Sequence, residues 1–335
     1  MGLRRTRQTP AGAITAWTRP PRLAWIALIL SLLGACSDVH PTPSSTLATS
    51  PTSRAATGTA LPLDRATPSP SASPLPTNTL APTATLGPND WQSLPVIPAV
   101  SRTARQIYQR GLALGNNPNA FSKIGDCEST PTWFLGDFDR NPSPYRLGEY
   151  TDLGTVILQF AGSFGRTSLA AGRGFNASSV LTALWADPAQ CQPGESPLAC
   201  EIRVHRPSIA FVMLGTNDRW HQDRFEGQMR LILNTLIEHG VVPILATKAD
   251  NLEGDGSINL TIARLALEYD LPLWNFWLAL QPLPDHGLQP DDAHITWGYN
   301  LFDDPLEMER GWPIRNLTAL QSLDAVWRGL VGPET

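Results

Sequence analysis

The stretch Ser208-Ile209-Ala210-Phe211-Val212-Met213-Leu214 is a continuous apolar run, and it ends at Gly215-Thr216-Asn217-Asp218. Its length is that of a β-strand, and a strand without polar alternation is one that is buried on both faces. The glycine and the polar residues behind it mark the point at which the chain leaves the strand. This segment therefore predicts the centre of a parallel sheet, with polar side chains at its carboxyl end.

Elements of alternating type are predicted on both sides of this strand. Before it, apolar spacing and turn residues predict a helix, a strand, a helix and a strand, at residues 101–113, 120–124, 153–160 and 167–171. After it, they predict helix, strand, helix and strand at residues 225–239, 241–246, 258–269 and 271–276. Strands that alternate with helices in this way predict an α/β fold, a three-layer doubly wound sandwich with a mostly parallel central sheet. Ligands of such sheets bind at the carboxyl ends of the strands.

Composition divides the 335 residues unevenly, because proline, serine and threonine are concentrated in the first ninety positions. We expect a signal peptide at residues 1–35, a disordered tether at 36–90 and a single folded domain at 91–335. The formal net charge is −5, and five arginines lie within the first 22 residues. No basic stripe is present elsewhere, which argues against nucleic acid as a partner.

The N-terminus has the pattern of an export signal. An arginine-containing start precedes an apolar run at residues 23–33, which is short for a membrane span. The segment Leu33-Gly34-Ala35-Cys36 resembles a bacterial lipobox, which implies cleavage before Cys36 and a lipid on its thiol. We therefore expect an exported protein, anchored by lipid to the extracytoplasmic face of the cell membrane. The alternative is an ordinary signal peptide with a chance cysteine.

The other three cysteines divide into a candidate pair and a single thiol. Cys191 and Cys200 bracket a short segment containing Pro193, Gly194 and Pro197, which favours a turn. In an oxidising compartment we expect these two to form a disulfide. Cys127 is left without a partner, so it is either a small buried apolar residue or a reactive group.

Four short sequence blocks occur along the chain in an order that is characteristic of one known protein family. They are Gly125-Asp126-Cys127, Ala171-Gly172-Arg173-Gly174-Phe175-Asn176, Gly215-Thr216-Asn217-Asp218 and Asp291-Asp292-Ala293-His294. Over residues 121–300 the chain resembles the SGNH, or GDSL-type, hydrolases. The resemblance implies a flavodoxin-like fold and the hydrolysis of carboxylic esters.

The resemblance also assigns roles to residues. His294 would be the general base, Asp291 would hold its imidazole in the required tautomer, and Cys127 occupies the position of the nucleophile. The oxyanion hole would consist of the N–H of Cys127, the N–H of Gly174 and the side-chain amide of Asn217, with Gly172 as second choice for the glycine. Ester cleavage requires these groups because a proton must leave the nucleophile and negative charge must develop on the carbonyl oxygen.

The nucleophile is where this chain departs from the family, which has serine at that position. Three hypotheses remain open. Cys127 is a working nucleophile that forms a thioester, or the hydroxyl of Ser129 has taken over, or the site is a degenerate binding pocket.

For the substrate, the resemblance implies acetyl or other short acyl groups, and exposure at the cell surface suggests an ester on a glycan. No cluster of histidine, cysteine and carboxylate residues has metal-ligand spacing, and the mechanism requires neither metal nor cofactor. The alternative function is that of an inactive surface lipoprotein that binds a glycan or another ligand in the same cleft.

Overall fold

The computed structural model of the protein describes residues 86–333. The predicted signal peptide, the lipidation site Cys36 and nearly all of the predicted tether lie outside these residues. Across the described range, no helix combines the length and apolar character that would be needed to cross a bilayer.

The central sheet has four parallel strands. They are β1 (Asn117–Gly125), β2 (Pro207–Met213), β3 (Val242–Ala246) and β4 (Leu273–Trp274), and they lie side by side in that order. Every residue of β2 and β3 is buried. The predicted parallel α/β sheet is therefore confirmed, with the apolar run of the sequence at its centre.

The strand predicted at residues 167–171 is wrong in extent. Only Ala171 makes a bridge, parallel to Gly125 at the other side of β1 from β2. The Ser168 hydroxyl accepts a 3.1 Å hydrogen bond from the Ala170 N–H, and such local bonds compete with strand pairing. The chain thus turns one way from β1 to reach Ala171 and the other way to reach β2, which puts a topological switch point at the end of β1.

Two sets of helices accompany the sheet, as a three-layer sandwich requires. One set consists of α1 (Arg102–Ala113), α2 (Gly154–Gln159), α6 (Phe276–Leu280) and α7 (Gly311–Val331), of which the first three all contact α7. The other consists of α3 (Pro197–His205), α4 (Gln222–Glu238) and α5 (Ser257–Glu268), in which α4 contacts both neighbours. The predicted three-layer architecture is confirmed.

Four elements differ from the sequence prediction, and one of them is helix α6, which was not predicted. The last strand ends at Trp274 rather than at residue 276, because the Asn275 side chain accepts a hydrogen bond from the Leu278 N–H and caps α6. Helices α3 and α7 were not predicted. Helix α7 is buried along most of its length, including polar Arg315 and Asn316, so its sequence lacks the single apolar stripe of a surface helix.

Candidate active site

The candidate nucleophile lies where β1 ends. A side chain at Gly125 would collide with Ser129 and lie 2.6 Å from the Met213 carbonyl oxygen, so this close approach of backbone requires glycine. The next residue, Asp126, accepts a 3.0 Å hydrogen bond from the Glu128 N–H. This bond tightens the turn and begins a short 3-10 helix, Cys127–Ser129, with the half-buried Cys127 at its first position.

The segment around Gly174 is held by the loop that follows β2. The Asn217 side chain donates a 2.9 Å hydrogen bond to the Phe175 carbonyl, and the buried Asp218 accepts from the Ala177 N–H at 3.1 Å. Gly174 itself has a φ of 75°, in the left-handed region that favours glycine. The Asn-Asp pair therefore positions the loop on which the second predicted oxyanion donor lies.

The candidate base and its partner form a local unit in the loop before α7. Nδ1 of His294 lies 2.6 Å from Oδ2 of Asp291. The other carboxylate oxygen of Asp291 accepts from the N–H groups of Ala293 and His294, at 3.1 and 3.0 Å. Asp291 thus fixes both the loop and the ring, which leaves Nε2 as the atom of His294 that can take up a proton.

A surface cleft of about 530 Å³ collects residues from all three of these regions. Its lining contains Cys127, Asn217 and His294, three of the residues predicted from the sequence. Gly174 and Asp291 do not line it. Gly174 precedes Phe175, whose carbonyl accepts from Asn217, and Asp291 bonds to His294. Six further residues complete the lining: Asp126, Glu128, Thr216, Arg219, Leu252 and Ala293.

Ser129 does not fit the role of a substitute nucleophile. It is fully buried behind Gly125, and it does not line the cleft. Its hydroxyl has no hydrogen-bond partner within residues 86–333. The hypothesis that catalysis has moved from position 127 to Ser129 is therefore wrong.

The surroundings of Cys127 disfavour a thiolate. Burial raises the pKa of the Cys127 thiol, and the neighbouring charges of Asp126 and Glu128 raise it further. Burial and the charge of Glu128 also raise the pKa of Asp126, to about 7, and burial raises the pKa of Glu128. Two crowded carboxyl groups thus flank the thiol, and no sequence pattern assigned them a role.

The surroundings of His294, in contrast to those of Cys127, favour the charged form of the side chain. Its hydrogen bond to Asp291 raises the pKa of His294, and the charges of Asp291, Glu128 and Asp126 add to the effect against partial burial. Although burial opposes ionisation of Asp291, the hydrogen bonds from His294 and from two backbone N–H groups lower its pKa to about 2. The pair is therefore an ionised carboxylate beside an imidazole that holds its proton to higher pH than usual.

Next to the cleft lies a narrow pocket at the ends of β2, β3 and β4. It shares Asp126, Glu128, Thr216 and Ala293 with the cleft, and it is also lined by Lys248 and Arg315. Lys248 is buried between Asp250 and Glu253, at 2.7 and 2.6 Å. Arg315, on α7, is a buried cation that lies near the acidic residues Asp126 and Glu128. Sequence reasoning missed Arg315 because a buried arginine has no sequence pattern that separates it from a surface one.

The predicted disulfide is present, and it joins Cys191 to Cys200 with their Cα atoms 5.3 Å apart. Among residues 86–333, the group whose ligand atoms approach closely enough to hold a metal is Cys191, Glu195 and Cys200. Because both of its sulfur atoms are joined in the disulfide, this group has no thiolate to offer a metal.

The solved structures that are similar to this chain include the following two. One is a GDSL-like lipase from Bacteroides thetaiotaomicron, with 14% identity and a TM-score of 0.39 over 66% of this chain and 97% of that one. The other is a putative lipolytic protein of the G-D-S-L family from Desulfitobacterium hafniense, with 12% identity and a TM-score of 0.38 over 61% and 99%. No family model matches the chain, and no curated protein matches it.

Proposed function

We propose that the protein hydrolyses carboxylic esters, with Cys127 as nucleophile, His294 as base and Asp291 as the residue that orients the base. The observation that carries the proposal is one cleft lined by Cys127, Asn217 and His294, in which the histidine is held by a 2.6 Å bond to Asp291. A nucleophile, an oriented base and an amide donor are the groups that acyl transfer requires.

The reaction would proceed in two steps. Nε2 of His294 takes the proton from the Cys127 thiol as the sulfur attacks the ester carbonyl, and the Asn217 amide and backbone N–H groups stabilise the negative oxygen. The tetrahedral intermediate then breaks its bond to the alcohol oxygen, which leaves with the proton from His294. Water, deprotonated by His294, cleaves the thioester, releases the carboxylic acid and restores the thiol.

For substrate and location we extend the proposal to short acyl esters, acetyl above all, carried on a glycan outside the cell. The location rests on the lipobox-like segment that ends at Cys36, which would anchor the protein to the membrane through lipid.

Hydrolysis of p-nitrophenyl acetate tests the activity directly. We expect turnover by the purified full chain and a loss of at least a hundredfold in Cys127→Ala and in His294→Ala. Cys127→Ser restores the serine that GDSL-type hydrolases have at this position. Activity in that variant would mean that the rest of the site is competent. Equal rates in the parent chain and in both alanine variants would exclude the proposal.

A second candidate function, ligand binding without turnover, is favoured by the raised pKa of Cys127. A thiol between two carboxyl groups ionises poorly. Ligand binding, unlike nucleophilic attack, does not require a thiolate. Alkylation of Cys127 by iodoacetamide separates the two functions. Reaction at neutral pH that is faster than that of free cysteine favours the enzyme, whereas slower reaction together with absent ester turnover favours binding.

A further inference from the structure

A second surface pocket is lined largely by the segment after Cys127 and by the segment after His294, and it is rich in tryptophan. Trp133 and Trp297 line it, although they are 43% and 54% exposed. Exposure of two such large apolar side chains in one pocket is unusual for a surface without a ligand. Trp312 stacks on Trp133 at a centroid distance of 5.5 Å, and Tyr299 packs edge-on against Trp297 at 4.5 Å. Each exposed indole is therefore held by a second ring.

The same pocket has a polar floor. Asn300 donates a 2.8 Å hydrogen bond to the Asp137 carboxylate, and Asn316 donates a 3.0 Å hydrogen bond to the Asn300 side-chain oxygen. The Asn316 oxygen in turn accepts from the Leu135 N–H. These bonds use one of the two N–H groups of each amide, and they fix the orientation of the donors and acceptors that remain. A ligand hydroxyl group could accept from the remaining N–H groups of this floor.

The pocket is joined by the backbone to both halves of the candidate site. The Trp133 N–H donates to the Thr130 carbonyl, and the Thr130 hydroxyl donates a 2.7 Å bond to the Cys127 carbonyl. On the opposite side, Trp297 follows His294 by three residues. The segments that line much of the pocket therefore continue directly from those that carry Cys127 and His294.

We propose that this pocket binds a pyranose ring of a glycan. The ring's apolar C–H face packs on the exposed indoles, while its hydroxyl groups bond to the Asp137–Asn300–Asn316 floor. This combination of aromatic faces and a few oriented polar groups gives a small-molecule site its affinity and specificity. Sugar binding itself needs no turnover, but the further step, that the bound ring carries the ester cleaved at Cys127, rests on the proposed function.

Calorimetric titration of the full chain tests the proposal, with tetrasaccharides of glucose, mannose and N-acetylglucosamine as probes. We expect at least one of them to bind, and Trp133→Ala and Trp297→Ala each to weaken that binding tenfold or more. Trp220→Ala is the matched control, because Trp220 is 75% exposed and does not line the pocket, and its effect should stay within twofold. Trp133→Phe keeps an aromatic face, so it should retain part of the affinity that Trp133→Ala loses.

Several results would overturn the inference. These are the absence of binding to all three sugars, or equal affinity in the parent chain and both pocket variants. Another is binding of a proline-rich peptide of residues 66–75 in place of sugar with the same tryptophan dependence, because aromatic grooves also bind such segments. Cys127→Ala separates the two proposals, since it should bind sugar as the parent does. Sugar binding without ester turnover would refute the proposed function alone, and ester turnover without sugar binding would refute this inference alone.

Discussion

The guanidinium of Arg315 donates a 2.8 Å hydrogen bond to the backbone carbonyl of Glu128, the residue that follows Cys127. Its side chain is 5% exposed, and the same nitrogen lies 3.7 Å from the Glu128 carboxylate. Arg315 is also packed against the Phe134 ring, 4.7 Å from its centroid. Helix α7 therefore stabilises the loop that carries Cys127, through the charge of Arg315 and through the packing of its side chain on Phe134.

Replacement of this arginine should destabilise the protein strongly. Arg315→Met keeps most of the volume but leaves the buried acidic loop without its cation, and breaking a buried pair costs about 3 kcal/mol or more in the free energy of unfolding. Urea unfolding at pH 7 measures the loss. Arg328→Met is the control on the same helix, because Arg328 is half exposed and its pair with Asp324 should contribute about 1 kcal/mol or less. Similar losses in the two variants would contradict a special role for Arg315.

The charge of Glu128 should make the candidate nucleophile less reactive. In Glu128→Gln, one of the charges that raise the pKa of Cys127 is removed, so the pH midpoint of its alkylation by iodoacetamide should move down from the parent's value. Glu226→Gln, on α4 and paired with Arg230, is a control that should leave the midpoint unchanged. An unchanged or higher midpoint in Glu128→Gln would mean that the charge of Glu128 does not raise the pKa of the thiol.

The raised pKa of His294 predicts how kcat/KM changes on the acid side of the pH profile. Only neutral imidazole accepts a proton, and the pKa of His294 is raised from its ordinary 6.5, so kcat/KM for p-nitrophenyl acetate should rise with pH through a midpoint above 6.5. Asp291→Asn removes the main cause of the shift and the control of the tautomer. We expect it to move the midpoint down and to lower kcat by about 10³- to 10⁴-fold.

Asp292→Asn is the matched control for that change. Asp292 has a φ of 55°, which asparagine tolerates, and it neighbours Asp291 without bonding to His294. Its kinetics should stay close to those of the parent chain. A comparable loss in both variants would indicate damage to the loop rather than to the base.

The disulfide should stabilise the domain by restricting the unfolded chain. Cys191 and Cys200 are separated by 9 positions, and a loop of that size corresponds to about 2–3 kcal/mol on a chain-entropy estimate. The double variant Cys191→Ala/Cys200→Ala should lose that much in urea unfolding, and addition of a reducing agent should then have no further effect on it. If the reducing agent destabilises the double variant as much as the parent chain, the effect does not arise from this bond.

The centre of the sheet and the histidine loop could be predicted from sequence because their signals are local. The apolar run at β2 identifies itself by its length, and the bond between Asp291 and His294 joins residues three positions apart. The placement of Asn217 and Cys127 could be predicted for a similar reason. Each lies shortly after a strand, and the carboxyl ends of parallel strands meet at one edge of the sheet.

What could not be predicted depends on contacts between distant parts of the chain. The strand expected at residues 167–171 has suitable residues, but hydrogen bonds within its own turn reduce it to the bridge at Ala171. The raised pKa of Cys127 arises from burial of the thiol and from the charges of Asp126 and Glu128 beside it, which no spacing reveals. Arg315 is the clearest case, because its partner lies 187 residues earlier in the chain.

This separation has a consequence for the order in which the protein assembles. During synthesis the chain emerges from its N-terminal side, so the turn at Cys127 and all four strands are made before the residue that neutralises that turn. Until α7 docks, Asp126 and Glu128 have no buried cation beside them, and the turn that carries the thiol lacks its support. The candidate site can therefore be completed only after α7, the last helix of the described chain, has been made.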